Sequence, residues 1–278
     1  MPTDAATGPA PGGARPHVTA AVLAGGIGTR MGSALPKQLL PLAGRPVIEH
    51  AIAAFCASPQ VDDVIVLMVA DRSAEVDKIV ADAGLGTKGG APTAPYAKVS
   101  AILPGGATRT ATSHAALRAL DHRPGTDLVL LHDAARPLVT QAAIARCVDA
   151  LADVGAVGVA VPSSDTVVAV GPGASGGEAV RDVPPRSTLR RMQTPQGFRL
   201  DVIRRAYDLA LADPGLVATD DCGVVLRYLP DEEVRVIAGE ETNIKVTNPG
   251  DVEIAEVLLR LRDARPGQDG GPGSRRTR

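Results

Sequence analysis

The 278-residue chain carries 29 Lys and Arg against 31 Asp and Glu, a formal net charge of −2, with 45% hydrophobic residues. That balance describes a globular protein with a sizeable core and excludes a general electrostatic role on nucleic acid or anionic membrane. Only 2% of residues are aromatic and none is Trp, which argues against single-strand binding on stacking platforms and leaves positive charge to act locally on anionic substrates.

Residues 1–17 are rich in Ala, Pro, Gly and Thr without a hydrophobic signal core, and read as a disordered leader; residues 264–278 read as a disordered tail. Between them lies a single domain, 18–263. Cys56, Cys147 and Cys222 are far apart and form no C-x-x-C pair, so they read as reduced, buried small hydrophobes. No apolar run approaches a membrane span, and the expected compartment is the cytoplasm.

The first element is a short apolar strand over 18–24. It runs into Gly25, Gly26, Ile27 and Gly28, then Arg30, and closes on Pro36, Lys37 and Gln38. A turn so poor in Cβ atoms brings backbone N–H groups close to a ligand, and Arg30 and Lys37 add two cations. Many N–H donors beside two cations suit a polyphosphate. The dinucleotide fingerprint fails because Met31 stands where its third glycine belongs, and the Walker Gly-Lys-Ser/Thr ending is absent.

Strand-like and helix-like stretches then alternate: helix 47–55, strand 64–69, helix 74–83, a Gly/Ala/Thr/Pro loop 84–95, strand 99–103, helix 110–120, strand 128–131, helix 141–151, strand 155–161. Unbroken apolar strands separated by helices predict an α/β fold, a mostly parallel Rossmann-like sheet with helices on both faces. Ligands in such sheets sit beyond the carboxyl ends of the strands. Two loops there carry chemistry. In the first, Gly105 and Gly106 permit close approach of a base or ribose and Arg109 can donate to an oxygen; in the second, Asp133 ends a buried strand with Arg136 three residues on. Asp133 could orient a polyol hydroxyl or help hold magnesium, Arg136 could pair with a phosphate, and a simple Asp133–Arg136 ion pair closing the loop remains open. His132 reads as structural.

After 161 the alternation breaks. Two short extended runs around a glycine-rich tip predict a protruding β-hairpin arm over 162–191, which lacks a core of its own and should pack on a partner subunit. Residues 192–198 return the chain to the core. A helix over 200–211, a helix capped near 219–222, a strand over 234–238 and a helix from Pro249 to about 262 complete the domain.

Five motifs occur in one order: Leu-Ala-Gly-Gly with Pro-Lys-Gln, Gly-Gly with Arg109, His-Asp-Ala-Ala-Arg-Pro, Gln-Thr-Pro-Gln, and Asn-Ile-Lys-Val-Thr. Over roughly 18–261 the chain resembles the CTP-dependent polyol-phosphate cytidylyltransferases, which include the methylerythritol-phosphate and ribitol-5-phosphate enzymes. The resemblance implies a fold of the nucleotide-diphospho-sugar transferase type, a homodimer joined by hairpin arms, and magnesium held mainly by the CTP phosphates rather than by side chains. It implies catalytic roles for Arg30, Lys37, Lys245 and Arg186. Around CTP it places Leu23, Ala24, Gly25, Gly26 and Gly28, then Gly105, Gly106, Arg109 and Thr112, then Asp133 and Ala134. On the polyol phosphate it places Asp133, Arg136, Thr166, Arg186, Thr194, Thr219 and Lys245, with Thr166 and Arg186 reaching the neighbouring subunit.

Two departures are visible. Ala107 stands where the family often has an acid near the cytidine, and Thr112 where a serine hydroxyl is common. The polyol is left open: Leu-Ala-Gly-Gly, Val183-Pro184-Pro185-Arg186 and Asp220-Asp221-Cys222 look more like the ribitol type, while the His132–Pro137 and Asn243–Thr247 motifs look more like the methylerythritol type. A hexose-1-phosphate nucleotidyltransferase and a non-catalytic nucleotide-binding homologue are the alternatives, and the full cation set argues against the second.

Overall fold

A computed structural model describes residues 15–25, 36–69, 72–84 and 96–264. Strand β1 (Val18–Ala24) is apolar or small throughout, and all seven residues are buried. Because alternate side chains leave opposite faces, Ala20, Val22 and Ala24 enter one apolar cluster and Ala21 and Leu23 another. A strand apolar on both faces needs cover on both, and this sheet has it. On one face lie α1 (Val47–Ala57) and α4 (Gln141–Ala150), with Ile52, Phe55 and Ile144 fully buried. On the other lie α3 (Arg109–Ala119), α5 (Leu200–Leu211) and α6 (Asp221–Tyr228), bringing Leu117, Ile203, Tyr207 and Val225. Helix α2 (Ser73–Gly84) runs between two further strands.

The chain passes from β1 to β4 (Asp63–Met68) and β5 (Val99–Pro104) on one side, each paired parallel to its neighbour. It then crosses back to β6 (Leu128–Asp133) on the other side of β1, where Leu23 lies opposite Asp133. That reversal opens a crevice beyond the carboxyl ends of β1 and β6. The sheet continues through β10 (Arg190–Arg199), β7 (Ala156–Pro162) and β11 (Val234–Ala238), with β10 antiparallel to both neighbours.

Local chemistry fixes three of the helix starts. Thr108 accepts a hydrogen bond from the Ala111 N–H at the head of α3, Thr140 from Ala143 at α4, and Asp220 from Gly223 at α6. Each cap contributes about 1 kcal/mol. The last helix, α7 (Gly250–Asp263), packs Ala255 and Leu259 against Leu42, Val47, Leu138 and Val246. It thereby ties the segment after Lys245 to the loops after Lys37 and Asp133.

Three features differ from expectation. Residues 192–198 are not a simple return but the buried heart of a ten-residue central strand. Pro195 argues against a central strand, because it lacks an N–H; here the pairing with β7 shifts register between Met192 and Gln196, so the missing donor falls at an irregularity. A small hairpin of β2 (Pro41–Leu42) and β3 (Arg45–Pro46), turning at Ala43 and Gly44 with positive φ, has too few residues for a visible alternation. The leader is tied down at its end: Arg15 pairs with Asp62, and the His17 N–H donates to Asp127. Residues 265–278 and most of the 84–95 loop lie outside the described residues. All three cysteines are free and buried, as expected.

The arm consists of β8 (Ala169–Pro172) and β9 (Glu178–Asp182), paired only with each other. Val167, Val168, Val170, Val180 and Val183 on or beside it are 41–59% exposed. Among the described residues no helix is long and apolar enough to cross a membrane.

Candidate active site

Beyond the ends of β1, β5 and β6 lies an open cleft of about 450 Å³, counted to its mouth, lined by Leu23, Gly25, Lys37, Gln38, Arg109, Thr112, Asp133, Ala135 and Lys245. Its floor needs glycine. A Cβ on Gly25 would collide with Thr112 Oγ1, one on Gly106 with Ala111, and one on Gly105 would come within 3.1 Å of the Gly25 Cα. Thr112 locks this contact: Oγ1 donates toward the Thr108 carbonyl at 2.8 Å and accepts from the Gly106 N–H at 3.1 Å. It is 1% exposed, so this threonine builds the nucleotide loop as much as it lines it. Ala134 is buried and donates its N–H to the Leu23 carbonyl, while the Ala24 carbonyl accepts from Gln38 Nε2. Gly26, Gly28 and Arg30 lie outside the described residues.

The charged centre is Asp133, at the end of β6. One carboxylate oxygen accepts from Arg109 Nε at 2.9 Å and the other from Lys245 Nζ at 2.7 Å. Burial raises its pKa, but the charges of Arg109 and Lys245 outweigh that and hold the carboxyl well below the usual range. It is ionised at any working pH. Arg109 continues inward, where Nη1 donates to Asp221 at 2.6 Å and to Ser113 at 2.9 Å. Burial lowers the guanidinium's pKa, and the two carboxylates more than reverse this, so it stays charged. Lys37 reaches the same cleft from the short 3-10 turn Lys37–Leu39. Burial raises the pKa of Asp251 at the head of α7, and the Asn248 and Thr247 donors, with Lys37 beyond them, bring it below the ordinary value.

Several expected residues have other partners. Arg136 forms no ion pair with Asp133: Nη1 and Nη2 donate to the carbonyls of Asn243 and Met192. Its guanidinium therefore holds the Lys245 loop to β10 instead of facing the cleft for a phosphate. Thr194 is 4% exposed and its hydroxyl is used twice, accepting the Asp133 N–H and bonding His132 Nδ1. It positions Asp133 from behind. Thr166, Arg186 and Thr219 are exposed and do not line the cleft; Arg186 Nη1 donates to the Ser164 carbonyl in the arm. Gln38 and Ala135 line it without having been singled out as ligand contacts. Asp221 carries no ligand signal in the sequence, since an acid in a helix's first turn ordinarily reads as a dipole partner.

His132 is fully buried, with Nε2–H donating to the Arg136 carbonyl and Nδ1 facing the Thr194 hydroxyl. Burial lowers its pKa from 6.5 to about 4, which keeps it neutral. The unfolded chain therefore takes up this proton first as pH falls. Stability should be full above pH 6.5 and decline through the window down to 4, by up to about 1.4 kcal/mol per pH unit from this one group. His50, its pKa lowered chiefly by burial, adds in the same direction. Urea denaturation across that window checks this; a flat profile would contradict a neutral buried His132.

Residues 18–261 match the model of the family IspD: 2-C-methyl-D-erythritol 4-phosphate cytidylyltransferase. The chain belongs to this family. It is thus a nucleotidyltransferase, and specifically a cytidylyltransferase. A 2-C-methyl-D-erythritol 4-phosphate cytidylyltransferase of Thermobifida fusca is 61% identical over 246 residues, covering 88% of this chain and 94% of that one. The crystal structure of a 4-diphosphocytidyl-2C-methyl-D-erythritol synthase from Anaerococcus prevotii superposes with a TM-score of 0.71 at 27% identity, covering 88% and 96% of the two chains. A bifunctional ribulose 5-phosphate reductase/CDP-ribitol pyrophosphorylase of Haemophilus influenzae is 34% identical over 241 residues, 87% of this chain but 48% of that protein.

Proposed function

We propose that the enzyme joins CTP to 2-C-methyl-D-erythritol 4-phosphate, forming a CDP-polyol and pyrophosphate for isoprenoid-precursor synthesis. The observation that carries the choice of polyol is the 61% identity with the Thermobifida fusca enzyme along almost the whole of both chains. The ribitol-type relative shares far less and matches over only about half its own length. The cleft supports the chemistry: a close-packed glycine floor for a nucleotide, with Lys37 and Lys245 at its rim and Asp133 between Lys245 and Arg109.

A phosphate oxygen of the polyol attacks the α-phosphorus of CTP in line. The new P–O bond forms as the bond to the β-phosphate oxygen breaks, and pyrophosphate leaves with the electron pair. Both reactants are anionic, so positioning and charge stabilisation make up most of the catalysis. Lys37 and Lys245 screen the repulsion, and the family resemblance gives Arg30, which lies outside the described residues, the same role. The phosphate nucleophile is already ionised near neutral pH, so no side chain need deprotonate it.

Magnesium suits this site as a passenger of the nucleotide. Both Asp133 oxygens are held by cations, and among the described residues no group of three His, Cys, Asp or Glu side chains could hold a metal alone. The triphosphate oxygens would supply its ligands, and the ion would neutralise charge on the departing pyrophosphate.

The arm is assigned to a homodimer. Its exposed valines and the outward-facing Thr166 and Arg186 suit contact with a second copy, where Arg186 would meet the neighbour's polyol phosphate. Arg186→Ala and Lys37→Ala, each impaired alone, should then recover activity above either when coexpressed, because a mixed dimer holds one intact composite site. No recovery, or a monomer in sedimentation, would count against this role. For the polyol itself, pyrophosphate release is measured with CTP and methylerythritol 4-phosphate, ribitol 5-phosphate or a hexose 1-phosphate. Turnover with the first is expected, and turnover with ribitol 5-phosphate alone would overturn the choice.

A further inference from the structure

The cleft's charges do not end at the cleft. Asp221 is fully buried in the first turn of α6, where the helix N-terminus favours an anion. Its Oδ1 accepts from the Tyr207 hydroxyl at 2.6 Å and its Oδ2 from Arg109 Nη1 at 2.6 Å. Its backbone is fixed as well: Gln196 Oε1 in β10 accepts from the N–H groups of Asp221 and Cys222 at 3.0 and 3.1 Å. A rigid carboxylate thus stands behind Arg109, opposite Asp133.

Arg109 touches Asp133 through Nε alone: Nη2, on the same edge of the guanidinium, is buried with no acceptor, while Nη1, on the opposite edge, is held by Asp221. One Asp133 oxygen is therefore left for Lys245. An arginine with a single carboxylate partner favours a two-pronged pairing that occupies both oxygens. Without Asp221, Arg109 would close on Asp133 and release Lys245 into solvent.

We propose that Asp221, braced by Tyr207, is a positioning residue that holds Lys245 in its catalytic place through Arg109 and Asp133. This deepens the proposed function and rests on Lys245 acting at the reacting phosphates. Tyr207 belongs to the relay because its hydroxyl fixes the Asp221 rotamer. Burial and then the Asp221 charge raise its pKa, which keeps that hydroxyl a donor.

The test is a double-mutant cycle read in kcat and in KM for CTP. Tyr207→Phe should lower kcat about three- to tenfold and Asp221→Asn about ten- to a hundredfold, with KM for CTP changed less than about threefold. In a Lys245→Ala background each should change kcat by less than about twofold, because the group they position is gone. A merely structural role would instead multiply through unchanged. Should Asp221→Asn fail to fold, Tyr207→Phe, which keeps the charge count, completes the cycle alone. Full multiplication in the Lys245→Ala background, or no loss in the single variants, overturns the relay while leaving the cytidylyltransferase assignment standing. Near-normal turnover by Lys245→Ala alone would overturn the catalytic reading and the relay with it.

Discussion

Lys245→Ala and Lys37→Ala are each expected to lower kcat by about ten- to a thousandfold, the scale of one lost transition-state charge contact. Both side chains line the cleft, and Lys245 is poised 2.7 Å from Asp133, at its edge and not in the core. Its side chain is 38% exposed, so truncation removes a charge without opening a cavity. The fold should survive, and KM for CTP should rise less than kcat falls if the contact strengthens as charge spreads over the phosphorus. Purified, folded variants with near-normal pyrophosphate release would remove these lysines from the reaction.

Asp133→Ala should be worse, because it harms stability and catalysis together. The carboxylate is 11% exposed and balances Arg109 and Lys245 at once. Removing it leaves Arg109 with only Asp221 as a partner, a change that costs about 3 kcal/mol, the low end for breaking a buried pair because one carboxylate remains. Lys245 loses its anchor in the same step. Urea denaturation would show the lowered midpoint, and turnover should fall at least as far as in Lys245→Ala. Asp133→Asn separates the effects: it keeps the shape and the bond that the residue's N–H donates to Thr194, and loses the charge and one of the two acceptor oxygens. If Asp133→Asn matched the parent in both stability and turnover, the charge balance described here would be wrong.

Much of the site was legible in the chain because loop chemistry is local. Glycines at 25, 105 and 106 and acids and cations at strand ends announce a ligand wherever the sheet places them, and apolar runs of strand length place the sheet. Lys37, Arg109, Asp133 and Lys245 do meet in one cleft. What was not legible depends on partners far apart in sequence. Arg109 and Asp221 are 112 residues apart, as are Lys245 and Asp133, and the pairing of Arg109 with Asp133 in place of Arg136 depends on α3 packing over β1 and β4, beside the end of β6. Arg136 and Thr194 look like ligand contacts from their residue types, yet they bind backbone because β10 is inserted between β6 and β7. That insertion was hidden by Pro195, whose ordinary meaning in a strand is an edge.

Ala107 bears most directly on the central claim, cytidylyl transfer. The Gly105–Gly106 turn beside it is packed so closely on Gly25 and Ala111 that a pyrimidine should be accepted in preference to a larger purine. A wrong pyrimidine edge would leave buried polar groups unpaired, at about 1–3 kcal/mol each. Because Ala107 stands where the resemblance implies an acid near the cytidine, discrimination of CTP from UTP should sit toward the lower end of that range. The decisive measurement is a competition with CTP, UTP, ATP and GTP at equal concentration, with methylerythritol 4-phosphate as acceptor and the nucleotide in the product identified. CDP-polyol should dominate, with a minor UDP product; a purine nucleotide as the preferred donor would contradict the assignment of this cleft to CTP.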